Sequence, residues 1–294
     1  MPDCRVVNIW LLGARPKTLP AAVVPVAVGT AAAVGAGIIW WRAAAALVVS
    51  LALQVGVNYA NDYSDGKRGT DGADRVGPVR LVGSGLATPA AVKDAARISF
   101  AVAGVAGLTL AAAAGWWLLL VGAASIAAGW LYTGGPRPYG YLGLGEVFVF
   151  VFFGLVATVG STYVQIETIT ALAVVAAVPV GLWATALLIV NNLRDIPGDT
   201  VVGKRTLAVR LGDSRTRTMY VGVLVVSWLF VAIVAVAWRP WAALGLVGVV
   251  PGAAPIRIVL GGAHGPALIP VLAMTGRVQL VSGLLLALGL ALSG

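Results

Sequence analysis

Two short runs of acidic and amide side chains interrupt an otherwise apolar chain. The first reads Asn58-Tyr-Ala-Asn61-Asp62-Tyr-Ser-Asp65, trailed by Lys67, Arg68 and Asp71; the second reads Asn191-Asn192-Leu-Arg194-Asp195-Ile-Pro-Gly-Asp199. On a helix, Asn58, Asp62 and Asp65 fall at i, i+4 and i+7 and share one face, and Asn191 and Asp195 repeat the i, i+4 spacing. Pro197 disfavours a helical Ile196, so the sequence predicts that Asp199 sits on a turn just past a helix end. Carboxylates one turn apart repel each other unless a cation lies between them. A donor set of Asp and Asn oxygens suits Mg²⁺, which keeps several waters and takes one or two carboxylates together with phosphate oxygens. His264 is the only histidine and Cys4 the only cysteine, which excludes a His/Cys zinc cluster and an intramolecular disulfide. Two such clusters facing each other would hold Mg²⁺ with a diphosphate between them. Lys67, Arg68, Arg137, Lys204 and Arg205 would neutralise the remaining phosphate charge. Such a site stabilises a leaving group electrostatically, without covalent catalysis. Solvated helix ends also collect Asp, Asn, Gly and Pro; against that reading, the motif occurs twice, and Gln54 and Asn58 reach back into apolar sequence where lipid makes polar groups costly.

The elements that must position these residues are membrane helices. The 294-residue chain is 60% hydrophobic and 11% charged, with a mean hydropathy of +0.95, whereas soluble domains carry about 25% charged residues. Nine apolar segments are expected to span, at roughly 18–39, 43–61, 95–115, 116–133, 144–163, 170–192, 218–238, 240–256 and 276–293. This is an all-α polytopic membrane protein; a soluble enzyme, a disordered chain and an alternating β-barrel are excluded. The third and fourth segments nearly touch at Trp116, so a tight turn must separate them. No linker divides the chain, which reads as one domain over 1–294. The net charge of +9 does not indicate nucleic acid, because the basic residues lie in short loops. With the N-terminus cytoplasmic, all of them except Arg42, Arg239 and Arg277 fall on the cytoplasmic side. Both acidic runs lie on that same side, while Trp40, Trp41, Trp116, Trp117, Trp238 and Trp241 mark the outer boundary.

The paired aspartate runs resemble those of the UbiA superfamily of intramembrane prenyltransferases. Arg15-Pro-Lys17-Thr-Leu-Pro20, Lys67-Arg68-Gly69-Thr70-Asp71, Arg75-Val-Gly-Pro78, Tyr132-Thr-Gly-Gly-Pro136 and Gly203-Lys204-Arg205-Thr206-Leu207 are similar to the branch that prenylates 1,4-dihydroxy-2-naphthoate. The likeness implies a helical bundle around a central cavity, capped by cytoplasmic loops and open sideways to lipid. Its implied partners are a polyprenyl diphosphate, dihydroxynaphthoate and the lipid bilayer, its implied cofactor is Mg²⁺, and its product is demethylmenaquinol. Carried onto this chain, the resemblance makes Asp65, Asp71, Asp195 and Asp199 the metal-binding catalytic acids, with Asp62, Asn58 and Asn61 in support. Position 69 is Gly, so the last acid of the first run is displaced to Asp71. Lys67, Arg137 and Lys204 would meet the diphosphate, Arg15 and Lys17 the aromatic carboxylate, and Tyr132, with Tyr59 and Tyr63, an allylic cation. His264 reads as an ordinary loop residue. Other acceptors stay open: 4-hydroxybenzoate, homogentisate or a sugar phosphate. From another class, a transporter is the main rival, but a transporter places ionisable groups near the bilayer midplane rather than at one surface.

Overall fold

The computed structural model describes residues 8–69, 77 and 79–294. A short helix α1 (Ile9–Ala14) and a 3-10 turn lead into α2 (Pro20–Ala32), α3 (Trp40–Arg68), α4 (Pro89–Ala114) and α5 (Leu118–Leu131). Then follow α6 (Gly145–Ile166), α7 (Ala171–Val201), the short α8 (Leu207–Leu211), α9 (Asp213–Ala237), α10 (Pro240–Leu260) and α11 (Gly265–Leu292). There is no strand among the described residues, as expected where lipid can satisfy no backbone group.

All nine expected apolar segments are helical, but only seven are long and apolar enough to cross a membrane. The other two, α2 and α5, have 13 and 14 residues and extend about 20 Å at 1.5 Å per residue, short of a ~30 Å hydrocarbon core. Trp40, Trp116 and Trp241 are exposed at the end of the bundle opposite the acidic runs, where an aromatic belt is expected. The turn between α4 and α5 is made by Gly115, at a φ of 138° that a side chain would strain.

A second difference concerns Pro197. The helix does not stop before it: α7 runs to Val201 with Pro179 and Pro197 inside. Proline removes one amide donor and tends to kink or end a helix. Here the helix persists for a further turn, and the side chain of Thr200 donates to the Ile196 carbonyl at 2.7 Å. Asp199 is therefore helical and stands one turn beyond Asp195 on the same face.

The main hydrophobic core lies among α2, α7, α9, α10 and α11, around Trp183, Tyr220 and Leu286. Helices α3, α4 and α5 form a second group, packed through Tyr59, Ala96 and Phe100. Helix α6 stands between the groups and carries a π-helical stretch, Phe150–Val156. That stretch meets α7 backbone to backbone: a Cβ on Gly154 would lie 2.5 Å from the Gly181 Cα, and one on Gly181 would lie 2.9 Å from the Phe150 carbonyl. Small residues allow this approach, and in lipid such packing is a main source of helix association. At the outer end, Arg42 ties three helices together, donating to the carbonyls of Ala113 and Val164 and to Glu167, each at 2.9 Å. Beside it Trp117 donates to the Tyr163 hydroxyl at 2.9 Å, and the Ile39 amide donates to Gln165 at 2.7 Å.

The crowding at Gly154 sets an expectation. Gly154→Val should lower stability by about 1–3 kcal/mol through overpacking. Gly160→Ala, on the same helix with nothing within 4 Å of the new Cβ, should change it by less than about 0.5 kcal/mol. Thermal unfolding of the two variants in detergent, followed by near-UV circular dichroism, distinguishes them; equal melting temperatures would contradict this account of the α6–α7 contact.

Candidate active site

A cavity of about 1330 Å³ lies between the two helix groups. Its wall follows one face of α3 through Ala46, Ser50, Leu53, Gln54, Val57, Asn58, Asn61 and Asp65, a run about 28 Å long at 1.5 Å per residue. The outer end is apolar: Val26, Ala46, Leu110 and Val164 pack there as a cluster. The opposite end gathers the polar groups, with Asp65, Asn191, Asn192, Arg194, Asp195, Asp199, Lys204, Tyr132 and Tyr141 lining one space. The two acidic runs, about 130 residues apart in sequence, thus meet because α3 and α7 end at the same side of the bundle.

Asp65 is 2% exposed. Its Oδ1 accepts a hydrogen bond from the Tyr141 hydroxyl at 2.6 Å and faces Lys204 Nζ at 3.4 Å, while Oδ2 faces Arg80 at 3.3 Å. Burial opposes the charge on Lys204, but the pull of Asp65, aided by Tyr141 and Asp199, lifts its pKa above the ordinary lysine value, so it is cationic at neutral pH. On the second run, Arg194 donates to both oxygens of Asp195, at 2.7 and 2.6 Å, and to Asn191 at 2.9 Å. One position on, Asn192 donates to the buried Glu146 at 2.9 Å. Tyr132 lies beside these acids. Burial, and after it the negative field of Glu146, Tyr139, Asp65 and Asp199, raises its hydroxyl pKa far above the usual tyrosine value. An aromatic series continues from Tyr132 into the cavity wall, with Tyr139 edge-on to it at 5.5 Å and Phe148 stacked on Tyr139 at 3.9 Å.

The expected site residues divide into those the fold brings together and those it places elsewhere. Asp65, Asp195, Asp199, Lys204, Tyr132, Asn58, Asn61, Arg15 and Lys17 all line the cavity. Asn58 also fastens the N-terminal segment, donating to the Ala14 carbonyl at 2.9 Å and to Thr18 at 3.0 Å. Asn61 accepts from Thr133 at 2.8 Å. Asp62 departs from its expected place among the metal ligands. It is fully buried and does not line the cavity; its two oxygens accept from the amides of Leu81 and Val82 at 2.8 and 3.0 Å. Asp62 follows Asn58 by one helical turn, but the returning chain after α3 needs an acceptor there, and Asp62 supplies it. Lys67 and Arg137 are exposed and do not line the cavity either; each extends from a loop or helix end toward solvent, where a lone cation is best hydrated. Tyr59 donates to the Trp10 carbonyl at 2.6 Å, and Tyr63 faces Lys93 and Trp130, so neither ring faces the cavity. Asp71 lies outside the described residues.

Sequence reasoning passed over Arg80 and Tyr141. Arg80 is aimed at Asp65 because Asp62 holds the two amides that follow it. Tyr141 comes from the loop after α5, and only its chain distance from either acidic run conceals it. Among the described residues no three acids or histidines are grouped closely enough to form a complete metal cage. The cavity nonetheless offers oxygen ligands, the carboxylates of Asp65, Asp195 and Asp199 and the amides of Asn58, Asn61, Asn191 and Asn192. That chemistry fits a hard divalent cation completed by phosphate oxygens and water.

Comparisons with known proteins extend over most of the chain. The UbiA prenyltransferase family profile matches residues 22–266. The sequence is 51% identical over 286 residues to a 1,4-dihydroxy-2-naphthoate octaprenyltransferase of Mycobacterium tuberculosis, covering 96% of each chain. It is 38% identical over 299 residues to a protein of the same name from Escherichia coli, covering 97% of this chain and 95% of that one. Its fold matches that of a UbiA homologue from Archaeoglobus fulgidus bound to GPP and Mg²⁺, with a TM-score of 0.69 at 15% identity, over 97% of this chain and 99% of that one.

The Asp62 clamp carries an expectation of its own. Asp62→Ala leaves two buried amides without their charged acceptor, at a cost of about 2–3 kcal/mol. Hydrogen exchange at Leu81 and Val82 should accelerate while α7 around Asp195 stays protected. Unchanged exchange at those two amides would show that Asp62 does not hold the segment.

Proposed function

The chain belongs to the UbiA prenyltransferase family, and from that premise we propose that it transfers the polyprenyl group of a polyprenyl diphosphate to 1,4-dihydroxy-2-naphthoate, as a step of menaquinone biosynthesis. The observation that carries this reading is the 51% identity, end to end, with a 1,4-dihydroxy-2-naphthoate octaprenyltransferase. A long apolar cavity with acids and cations at one end supports it, because a prenyl diphosphate has the same polarity along its length.

In the reaction the allylic C–O bond breaks and its electron pair leaves with diphosphate. The ring carbon that bears the carboxylate attacks the allylic carbon, and the electrons of its bond to the carboxyl carbon restore the aromatic ring as CO₂ departs. Demethylmenaquinol results, and because CO₂ rather than a proton is lost from that carbon, no side chain is needed as a base there. The residues divide the work by position. Asp65, Asp195 and Asp199, with Asp71 in family terms, would hold Mg²⁺, which supplies charge neutralisation to the departing diphosphate. Lys204 donates to the diphosphate from the loop after α7, and Arg80 lies within reach from the opposite side. Leu53, Val57, Phe148 and Phe152 exclude water from the cation, and the Tyr132 ring face stabilises it. Arg15 and Lys17, at the edge of the same cavity, take the acceptor's carboxylate. Asn58 and Asn61 position the N-terminal segment and the loop after α5 around these groups.

The protein is a multi-pass membrane protein. We place it in the cell membrane as a single domain, with its N-terminus and active site cytoplasmic, on the asymmetry of its basic residues.

Membranes containing the protein, incubated with dihydroxynaphthoate, labelled polyprenyl diphosphate and Mg²⁺, should yield a prenylated naphthoquinol. EDTA should abolish the product. Asp65→Ala and Asp195→Ala should each reduce turnover by at least about 10³-fold, the scale of a lost electrostatic stabiliser, while the variants still insert. Full activity in either variant would remove the metal assignment; labelled product with 4-hydroxybenzoate instead of the naphthoate would move the reaction to another acceptor.

A further inference from the structure

Tyr141 has more partners at the polar end than any single role in loop packing requires. Its hydroxyl donates to Asp65 Oδ1 at 2.6 Å. Lys204 Nζ lies 4.7 Å from the centre of its ring, and the Arg68 guanidinium lies 5.4 Å from the same centre. Its carbonyl accepts the amide of Arg205 at 3.1 Å. One residue thereby joins the end of α3, the loop after α5 and the loop after α7, and it lines the cavity. Arg68 reinforces the first of these joints by donating to the carbonyls of Thr133 and Gly135.

We propose that Tyr141 is a substrate-binding and positioning residue at the diphosphate end: its ring holds Lys204 in place, and its hydroxyl is a donor that passes from Asp65 to a diphosphate oxygen when substrate binds. The proposal rests on the prenyl diphosphate reading above. The physical argument concerns what each donor does without a ligand. Lys204, Arg80 and the Tyr141 hydroxyl converge on one carboxylate, and all three line the cavity with it. When Asp65 turns its oxygens to a divalent cation, the one hydroxyl proton of Tyr141, now given to Asp65, needs a new acceptor. In a site of low dielectric an unpaired donor is costly, and a cation-bound diphosphate presents anionic oxygens at the same place. The donors need little reorientation to take them, so the empty site is already arranged for its ligand. The aromatic ring is required independently, since a lysine over a tyrosine face is held by electrostatics as well as packing.

The test uses the full-length protein in detergent and a non-hydrolysable prenyl thiodiphosphate, with affinity measured by titration calorimetry with and without Mg²⁺. Tyr141→Phe keeps the ring and removes the donor; it should weaken Mg²⁺-dependent binding by about 10-fold, the scale of a hydrogen bond to a charged group. Tyr141→Leu removes the ring as well and should weaken it by about 10²-fold. Combined with Lys204→Met, Tyr141→Leu should lose much less than the product of the two single effects, because both act through the same ammonium. Melting temperature and the KM for dihydroxynaphthoate should change little in Tyr141→Phe, which a merely structural role would not allow. Wild-type affinity in Tyr141→Phe and Tyr141→Leu would overturn the proposal. If Tyr141→Leu misfolds, wild-type affinity in Tyr141→Phe alone would overturn it as well. Failure of the wild-type protein to bind the thiodiphosphate would overturn the prenyl diphosphate reading itself, and with it the premise of this proposal.

Discussion

The arrangement of the polar end follows from the cost of holding a carboxylate where water is scarce. Asp65 is almost wholly buried at the end of a membrane helix, and an unpaired charge there would be strongly destabilising. It is matched by Arg80, Tyr141 and Lys204, which come from separate connecting segments. Each donor must be delivered by a loop that is fixed in turn. Asp62 fixes the first through two amides, Tyr141 and Arg205 fix each other, and Arg68 holds the loop after α5. The cap over the cavity is thus built outward from one carboxylate.

The opposite end of the cavity obeys a different constraint. No charge lines it, and its shape depends on how closely helices approach. Gly154 and Gly181 let the π-helical part of α6 lie directly against α7, and the neighbouring Phe148, Phe152 and Phe153 become cavity wall. π-Helical turns are uncommon and often sit at functional sites; in this chain the irregularity lies between the aromatic wall and the core.

Much of this was legible in the sequence because its signals are local. Apolar run length marks the long helices but not the short α1 and α8, and the i, i+4 spacing of Asn191 and Asp195 identifies the second acidic face without any knowledge of its partners. The illegible parts depend on long separations. Tyr141 and Lys204 contact Asp65 across 76 and 139 residues, and no pattern within either run announces them. Asp62 illustrates the opposite error: its spacing from Asn58 is right for the shared face, yet the chain returning after α3 takes both of its oxygens. Pro197 shows that a local rule yields when packing and a side-chain hydrogen bond hold the last turn of α7. Lys67 and Arg137 carry the correct charge for phosphate, but a cation's sign does not specify where its side chain ends.

The Arg42 knot at the outer end bears on how the cavity keeps its shape. The cavity lies between two helix groups, so their spacing depends on contacts made beyond its ends. Arg42 and Glu167, with the Trp117–Tyr163 and Ile39–Gln165 bonds beside them, join α3, α4 and α6 beyond the apolar end of the cavity. The width of the cavity at that end is therefore set by side-chain bonds between helix ends as well as by packing.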